Sequence, residues 1–348
     1  MGVVTVPVTL AEALTANSND HRRITAAFTA RTGLAWHTVT PAEYGRGTRL
    51  SVVIPARNTA YSLPAVLEAL TRQHTAATIE VIAVDDASTD ATPDLLTTHP
   101  RIDQAVRLET PCGAAAARNV GVHLATGDTI VFLDADMVLP PHVLADIAAR
   151  ARHNTILTGF RHNVPYQAGP DGHPVVPAGE PALEADHRVR WTPPAGVPMF
   201  YTGQVYPQPF VGRPLHDTQD FLHLGHGRMY HDWDLPRMVV TALVAVPRRV
   251  FLDIGGFDDS FGAGWGAEDT HLGAALIAHG CNVIPLRQAR GWHLDPPNAD
   301  AVWKVKLAGA VSRVALYRQL CEQPAPTGRA ADLAERAESL LRKAATLR

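Results

Sequence analysis

Short β-rich segments alternate with helical patterns between residues 50 and 160, and this alternation constrains the fold more than any other feature of the chain. The expected strands are LSVVIPA, IEVIAVDD, QAVRLE, DTIVFLDAD and TILTGF. Nearly continuous apolar strands separated by helices predict an α/β fold, with a mostly parallel sheet and helices on both faces. Ligands of such sheets bind beyond the carboxyl ends of the strands, so residues at those ends are the first candidates for a site.

The rest of the chain divides into four parts. We expect residues 1–47 to form an accessory arm with one helix, at TLAEALTA, followed by polar connecting sequence. Residues 161–237 are rich in Pro, Gly and His and lack periodicity, which is typical of a functional loop or lid. Strands and helices resume over 238–295. Residues 296–348 carry two helical patterns, the second reaching about residue 346, and we expect them to pack on the domain or to form a homodimer.

Composition excludes two classes of partner. The 348 residues carry a formal net charge of −3, so no global basic field attracts nucleic acid and we expect no nucleic-acid partner. A membrane-spanning helix needs about 18 or more consecutive apolar residues, which the sequence does not contain, and the first residues lack the basic region of a signal peptide. We therefore expect a cytoplasmic protein without an integral membrane span.

Polar residues follow the first two expected strands. Pro55 and Asn58 end the first strand and, taken alone, are typical of a strand terminator. Asp85 and Asp86 end the second, where aspartates also commonly cap helices and build turns. Two adjacent carboxylates nevertheless repel each other unless a ligand donor or a cation engages one of them. This pair is therefore a candidate binding group.

The stretch GAAAARNVG begins at Gly113 and predicts a helix that starts close to a ligand. Small residues allow close approach, and the free backbone N–H groups of a helix start, together with Arg118, favour an anion such as a diphosphate. A closely packed alanine helix with an incidental arginine would give the same sequence.

A D-x-D pair, Asp134 and Asp136, ends the apolar strand TIVFL. Alternate residues of an extended backbone project to the same side, so both carboxylates can reach one site. Hard carboxylate oxygens suit Mn²⁺ or Mg²⁺, which in turn would bridge the oxygens of a diphosphate.

The stretch GAGWGAED, residues 262–269, places three glycines and Trp265 before two adjacent carboxylates, Glu268 and Asp269. A purely structural interpretation is a glycine turn followed by acids that complement the dipole of a helix start. The alternative is chemical, because a carboxylate within hydrogen-bond reach of a hydroxyl can remove its proton.

These motifs together resemble a known family. SVVIPARN, VIAVDDASTD, GAAAARNVGV and VFLDADMVL resemble, in this order and spacing, the nucleotide-sugar half of family 2 glycosyltransferases with the GT-A fold. GGFDDSFGAGWGAED resembles the acceptor-side segment of galactosyltransferase-like and chondroitin-polymerase-like relatives. The resemblance covers about residues 49–160 and 238–295. It implies a GT-A catalytic domain over 48–295, comprising a nucleotide-sugar half (48–160), an acceptor or lid region (161–237) and an acceptor and catalytic half (238–295).

The resemblance also implies roles for individual residues. Pro55 and Asn58 would border the nucleoside, Asp86 would recognise the base, expected to be uracil, and Arg118 would lie against the nucleotide. Asp134 and Asp136 would form the D-x-D pair, with Asp136 the more direct metal ligand. His293 falls where relatives supply a third metal ligand, although an ordinary polar histidine is the alternative in a chain with 17 of them.

On the acceptor side, Asp269 resembles the general base of the family, and Glu268 would bind or orient the acceptor. The glycines would act as hinges that let Trp265 cover the donor, exclude water and stack on a sugar. Relatives often have a glycine where this chain has Ala267, and a methyl group there would restrict the loop or narrow the acceptor space.

The sequence therefore predicts a metal-dependent, inverting glycosyltransferase that moves a sugar from a nucleoside-diphosphate donor, expected to be a UDP-sugar, to a hydroxyl of a glycan or small-molecule acceptor. There are two alternatives: a retaining transferase, and a non-catalytic nucleotide-sugar or glycan-binding module on the same fold. A nucleotidyltransferase is disfavoured because no Gly-rich, Lys-bearing phosphate loop follows the first strand. We expect the histidines and aspartates interleaved over residues 216–234 to belong to an acceptor-binding loop rather than a metal site.

Overall fold

The computed structural model describes residues 8–170, 172–186, 188–189 and 235–348. The interleaved histidines and aspartates of residues 216–234 lie outside the described residues, as does most of the expected acceptor or lid region.

One sheet organises the described part of the chain. Its strands are β1 (Arg49–Ala56), β2 (Thr78–Asp85), β3 (Gln104–Arg107), β4 (Thr129–Leu133), β5 (Met137–Val138), β6 (Thr155–Val164), β7 (Leu243–Pro247), β8 (Asn282–Leu294) and β9 (Ala345–Thr346). They lie in the order β5-β8-β6-β7-β4-β1-β2-β3-β9. Strands β1, β2, β3, β4, β6 and β8 point one way and β5, β7 and β9 the other, which confirms the expected α/β fold with a mostly parallel sheet.

Helices cover both faces of this sheet. They are α1 (Leu10–Ala16), α2 (Arg22–Thr32), α3 (Leu63–Thr71), α4 (Thr92–Thr98), α5 (Ala114–Leu124), α6 (Val143–Arg150), α7 (Leu235–Met238), α8 (Arg248–Asp253), α9 (Glu268–Ala278), α10 (Ala299–Cys321) and α11 (Ala330–Leu341). Alternate residues of each central strand enter different cores: in β1, Val53 joins the core with α5 and α9, while Val52 and Ile54 join the core with α3 and α6. The two-sided burial explains why these strands are apolar throughout.

Strand β7 lies at a place in the sheet that the sequence did not predict. It is inserted between β4 and β6 and runs antiparallel to both. The alternating segments from 50 to 160 gave no reason to place a later strand there. Its five buried residues, LVAVP, read like a parallel core strand because a central antiparallel strand is also covered on both faces.

The first 47 residues contain more structure than the single helix expected from TLAEALTA. Helix α1 coincides with that segment, but the expected polar connection contains a second helix, α2, so that part of the prediction was wrong. Helix α2 buries only Phe28 and Thr32, which explains its weak apolar periodicity. Helix α1 buries Leu10 and Leu14 against α9. Just beyond it, Asn17 Nδ2 donates to the Ile277 and Cys281 carbonyl oxygens, at 2.8 and 2.9 Å.

The C-terminal region forms two helices as expected, but the second ends at Leu341 rather than near residue 346. Residues 345–346 form β9, which pairs antiparallel with β3 and covers the open edge of the sheet, where unpaired backbone groups would otherwise be exposed. Within the described ranges, no helix combines the length and apolarity that a bilayer crossing requires.

Candidate active site

A cavity of about 320 Å³ opens where the parallel strands end. Of the ten residues singled out in the sequence, eight line this cavity: Pro55, Asp86, Arg118, Asp134, Asp136, Trp265, Glu268 and Asp269. Asn58 and His293 do not line it. Asn58 is exposed and accepts a hydrogen bond from the Thr89 backbone N–H at 2.8 Å, so it shapes the loop after β1, whereas His293 lies beneath Asp136.

Two carboxylates and one histidine converge at one side of the cavity. Strand β4 ends at Leu133, and a tight turn closed by the Met137 N–H and the Asp134 carbonyl, at 3.0 Å, presents Asp134 and Asp136. The short strand β5 then pairs with β8, which sets Met137 opposite His293. Single ligand atoms of Asp134, Asp136 and His293 lie within 4.8 Å of one another, and the described residues contain no other such group of three.

The chemistry of these three residues fits a divalent cation. Asp136 Oδ1 is buried and accepts no well-aligned hydrogen bond from the described residues, although His293 Nε2 lies 3.2 Å away. Tyr61 donates to Asp136 Oδ2 at 3.3 Å. Burial acts to raise the pKa of Asp136, but His293, Lys306 and Tyr61 outweigh it and lower that pKa, so the carboxylate is ionised. Two hard oxygen ligands and one imidazole nitrogen suit Mn²⁺ better than Mg²⁺, because an imidazole is a softer ligand than a carboxylate.

Arg118 links this group to the acids on the opposite wall. Its side chain is 5% exposed; Nη2 lies 2.7 Å from Asp134 Oδ1, and Nη1 lies 3.9 Å from Asp269 Oδ1. Helix α5 carries it to this position because small residues let the helix approach its neighbours. A Cβ at Gly121 would lie 2.4 Å from Val53 Cγ1, and one at Gly113, where φ is +93°, would lie 2.6 Å from Ala263 Cα. The glycines of GAAAARNVG are therefore required by packing.

Asp86 is held by backbone donors. Its Oδ1 accepts from the Cys112 N–H at 2.6 Å and its Oδ2 from the Gly113 N–H at 2.9 Å, and Arg57 Nη1 lies 3.7 Å from Oδ2. The side chain is only 3% exposed. Asp86 therefore ties the end of β2 to the start of α5 and forms part of the cavity wall; base recognition by this carboxylate stays a prediction.

Glu268 and Asp269 form the first turn of α9. Asp269 accepts from the Thr241 hydroxyl at 2.8 Å and the Thr241 N–H at 3.1 Å, and its side chain is 25% exposed. Glu268 is 8% exposed and accepts from the Gly266 N–H at 2.6 Å. Burial raises the pKa of Asp269, partly offset by Arg118, and burial together with the Asp269 charge raises the pKa of Glu268 to about 7.

The loop before α9 depends on its glycines for shape. Gly262 and Gly266 have φ of +58° and +119°, and a Cβ at Gly264 would overlap the Arg313 guanidinium. Ala267 has φ of +63°, a left-handed conformation that costs an L-residue about 1–2 kcal/mol and that glycine adopts without this cost. The hinge role assigned to these glycines stays a prediction.

Sequence reasoning missed three residues of the site. Thr241, at the turn before β7, positions Asp269; Tyr61 contacts Asp136; and Lys306 of α10 lines the cavity. Of the three, only Lys306 could have been found from the sequence. It is one of three lysines in the chain, and it lies three residues after Trp303, on the same face of an expected helix. The partners of Thr241 and Tyr61 come from distant segments and left no local pattern.

Two family models match the chain. Residues 51–188 match the glycosyl transferase family 2 model, and residues 213–293 match the model described as the N-terminal domain of galactosyltransferase. The matched ranges contain the two groups of acids that the structure brings to one cavity.

Curated relatives and a solved structure agree with these matches. The chain is 33% identical over 258 residues to a validoxylamine A glucosyltransferase of Streptomyces hygroscopicus subsp. jinggangensis, covering 72% of this chain and 56% of the relative. It is 39% identical over 92 residues to an uncharacterized glycosyltransferase of Haemophilus influenzae, covering 26% of this chain and 31% of the relative. The chain thus spans just over half the length of the first of these relatives. S. aureus TarS 1-349 in complex with UDP-GlcNAc shares the fold, with a TM-score of 0.50 and 16% identity over 85% of this chain and 72% of TarS.

Proposed function

Since the chain belongs, through residues 51–188, to glycosyltransferase family 2, we propose that it is a metal-dependent, inverting glycosyltransferase that uses a nucleoside-diphosphate sugar, preferentially a UDP-sugar, and a hydroxyl acceptor. The observation that carries this proposal is the meeting, in one cavity, of a cation-binding group and a separate carboxylate pair, bridged by Arg118.

The donor binds at the side formed by β1, β2 and β4. Asp134, Asp136 and His293 would hold Mn²⁺ or Mg²⁺, and such a cation, when bound, neutralises charge on a diphosphate leaving group. Arg118 adds a fixed positive charge next to Asp134. Its near-complete burial means that little reorganisation is needed when the diphosphate departs.

Asp269 takes the proton of the acceptor hydroxyl. As the acceptor oxygen bonds to the anomeric carbon, the bond from that carbon to the diphosphate oxygen breaks, and the hydroxyl proton moves to an Asp269 carboxylate oxygen. The raised pKa of Asp269 makes it a stronger base than an exposed aspartate, and its two hydrogen bonds from Thr241 fix its orientation. Asp269 is the better base candidate of the pair because Glu268 is more deeply buried, which suits a residue that orients the acceptor.

A ligand screen followed by analysis of the product tests the proposal. A panel of nucleotide sugars is screened by thermal shift with Mn²⁺, because a ligand that binds only the folded state raises its apparent stability. The relative's name makes UDP-glucose and validoxylamine A the first donor and acceptor to try. NMR of the anomeric proton during the first turnovers then shows inversion for the proposed single displacement. Retained configuration, or donor binding without either transfer or hydrolysis, would instead establish one of the two alternatives.

A further inference from the structure

Helix α10 lies beyond both family matches, yet one stripe of its residues packs on the GAGWGAED loop. The stripe comprises Trp303, Lys306, Ala310 and Arg313, which recur at helical spacing. Residues on the other faces of the same half of the helix, such as Lys304 and Val305, are exposed. The stripe is therefore the side of α10 that meets the active site.

Two contacts fix the helix to the loop on either side of Lys306. Trp303 packs edge-on against Trp265, with ring centroids 5.7 Å apart and planes at 89°. At the other end, the Arg313 guanidinium lies directly against Gly264 and donates to the Phe261 carbonyl at 2.9 Å. Lys306 lies between these contacts, so its position over the cavity is determined by packing at both ends.

The Lys306 ammonium faces the cavity and has no counter-ion in the part of the chain that the structure describes. It lines the cavity and lies 5.7 Å and 5.2 Å from the ring centroids of Trp265 and Trp303, which is cation–π geometry. Within the described residues, no carboxylate oxygen lies within the 4.0 Å of an ion pair with Lys306. Arg57 and Arg118, by contrast, are already engaged by Asp86 and Asp134. The aromatic rings orient the ammonium but leave its N–H donors for a ligand.

We propose that Lys306 binds the diphosphate of the donor, so that α10 supplies a phosphate-binding residue from outside the family-matched domain. This inference rests on the proposed function. The donor diphosphate is the anion that the geometry favours, because Lys306 lines the same cavity as Asp134 and Asp136, next to which the diphosphate would bind. An ammonium there attracts the diphosphate on binding and offsets the charge that develops on it as the sugar leaves.

The test compares two lysine-to-glutamine variants. Lys306→Gln removes the cavity ammonium, and Lys304→Gln makes the same change in net charge on the exposed side of the same helix. UDP and GDP are titrated calorimetrically into the wild-type chain with Mn²⁺, and the tighter-binding one is kept as the probe, with its monophosphate as the control ligand. We expect Lys306→Gln to weaken diphosphate binding about tenfold and monophosphate binding about threefold or less, with Lys304→Gln within about twofold of wild type. Lys306→Arg should restore most of the loss.

Each other outcome overturns the inference in a distinguishable way. If wild type binds neither nucleoside diphosphate, the proposed function fails and this inference fails with it. If wild type binds the probe and Lys306→Gln binds it equally well, the proposed function stands and only the role of Lys306 is rejected. Unchanged nucleotide binding with a raised acceptor KM would place an anionic acceptor group at Lys306 instead. If Lys306→Gln weakens diphosphate and monophosphate binding equally, or if Lys304→Gln weakens diphosphate binding as much as Lys306→Gln does, Lys306 makes no specific contact with the second phosphate.

Discussion

The two sides of the cavity treat buried carboxylates in opposite ways; we call them, after their proposed ligands, the donor wall (Asp86, Asp134 and Asp136) and the acceptor wall (Glu268 and Asp269). On the donor wall, the pKa of Asp136 is lowered because His293, Lys306 and Tyr61 outweigh the effect of burial. On the acceptor wall, the pKa values of Glu268 and Asp269 are raised because burial outweighs Arg118 and the hydrogen-bond donors, with the Asp269 charge adding to the rise at Glu268 and the Asp134 charge to that at Asp269. All three carboxylates are largely buried, so it is the neighbours, rather than burial alone, that set the direction of the shift.

The backbone differs between the two walls as well. Donor-wall acids follow regular parallel strands, and Asp86 is held by two backbone N–H groups. Acceptor-wall acids follow a loop in which Gly262, Gly266 and Ala267 all have positive φ. This contrast agrees with the proposed roles, in which ionised acids on regular backbone bind a cation and a diphosphate, and protonatable acids after a loop strained at Ala267 take part in proton transfer.

The largest effect is expected on the acceptor wall. Asp269→Asn keeps the shape of the side chain and one acceptor oxygen for Thr241 but removes its basicity, so kcat should fall by about 10²–10⁴. Nucleotide binding with Mn²⁺, measured by calorimetry, should stay within about twofold of wild type. Glu268→Gln is the matched comparison and should cost less in kcat than Asp269→Asn. A comparable loss of nucleotide affinity in Asp269→Asn would show that the two walls are not functionally separate.

The opposite pattern is expected on the donor wall. Asp136→Ala should remove the increase in nucleotide affinity that Mn²⁺ produces, and His293→Gln should weaken it by about 10–100-fold, because each loses a ligand of the cation. Titration of UDP with and without Mn²⁺ checks both. Asp128→Asn, at an exposed surface pair with Arg49, is the control for loss of one carboxylate. If Mn²⁺ still increased nucleotide affinity in Asp136→Ala, the assignment of the cation site to Asp134, Asp136 and His293 would be rejected.

The raised pKa of Glu268 predicts a pH-dependent difference in stability. Its folded-state pKa is about 7 against an ordinary value of 4.5, so between these values the folded chain binds a proton that the unfolded chain has lost. The free energy of unfolding therefore falls as pH rises through this window. Glu268→Gln, which cannot ionise, should gain stability relative to wild type by on the order of 1–3 kcal/mol between pH 5 and pH 8, measured by urea denaturation. A difference independent of pH would mean that Glu268 ionises at its ordinary pKa.

The smallest effect is expected from relieving the loop. Ala267→Gly removes the left-handed strain but gives the unfolded chain more freedom, so the free energy of unfolding should rise by about 1 kcal/mol or less. Ala87→Gly is the matched control, since Ala87 has φ of +55° beside Asp86 on the donor wall. Thermal denaturation of both variants should show similar small gains, with a change in kcat only for Ala267→Gly. Equal kinetic effects would contradict a special role for the acceptor loop.

The sequence predicted the acids of both walls but not the arrangement that brings them together, for physical reasons. Strands buried on both faces are apolar throughout, so they are recognisable in the sequence. The polar residues that follow them, such as Asp86 and Asp134, are then expected at the edge of the sheet where ligands bind. The location of Asp269 beside Arg118 depends on β7 being inserted antiparallel between β4 and β6, which its apolar pattern does not encode. Thr241 and Lys306 reach the site through tertiary packing that leaves no local pattern. Asn58 is exposed, does not line the cavity, and accepts a hydrogen bond from Thr89 in a neighbouring loop.

The amide of Asn17 binds two carbonyl groups near the C-terminal end of α9, the helix whose first residues are Glu268 and Asp269. Because α9 is about three turns long, the N-terminal arm holds one end of the helix that carries Glu268 and Asp269 at its other end. A version trimmed to the family-matched segments would retain the acids of both walls but lose the Asn17 contacts, so we expect it to hold helix α9 less firmly.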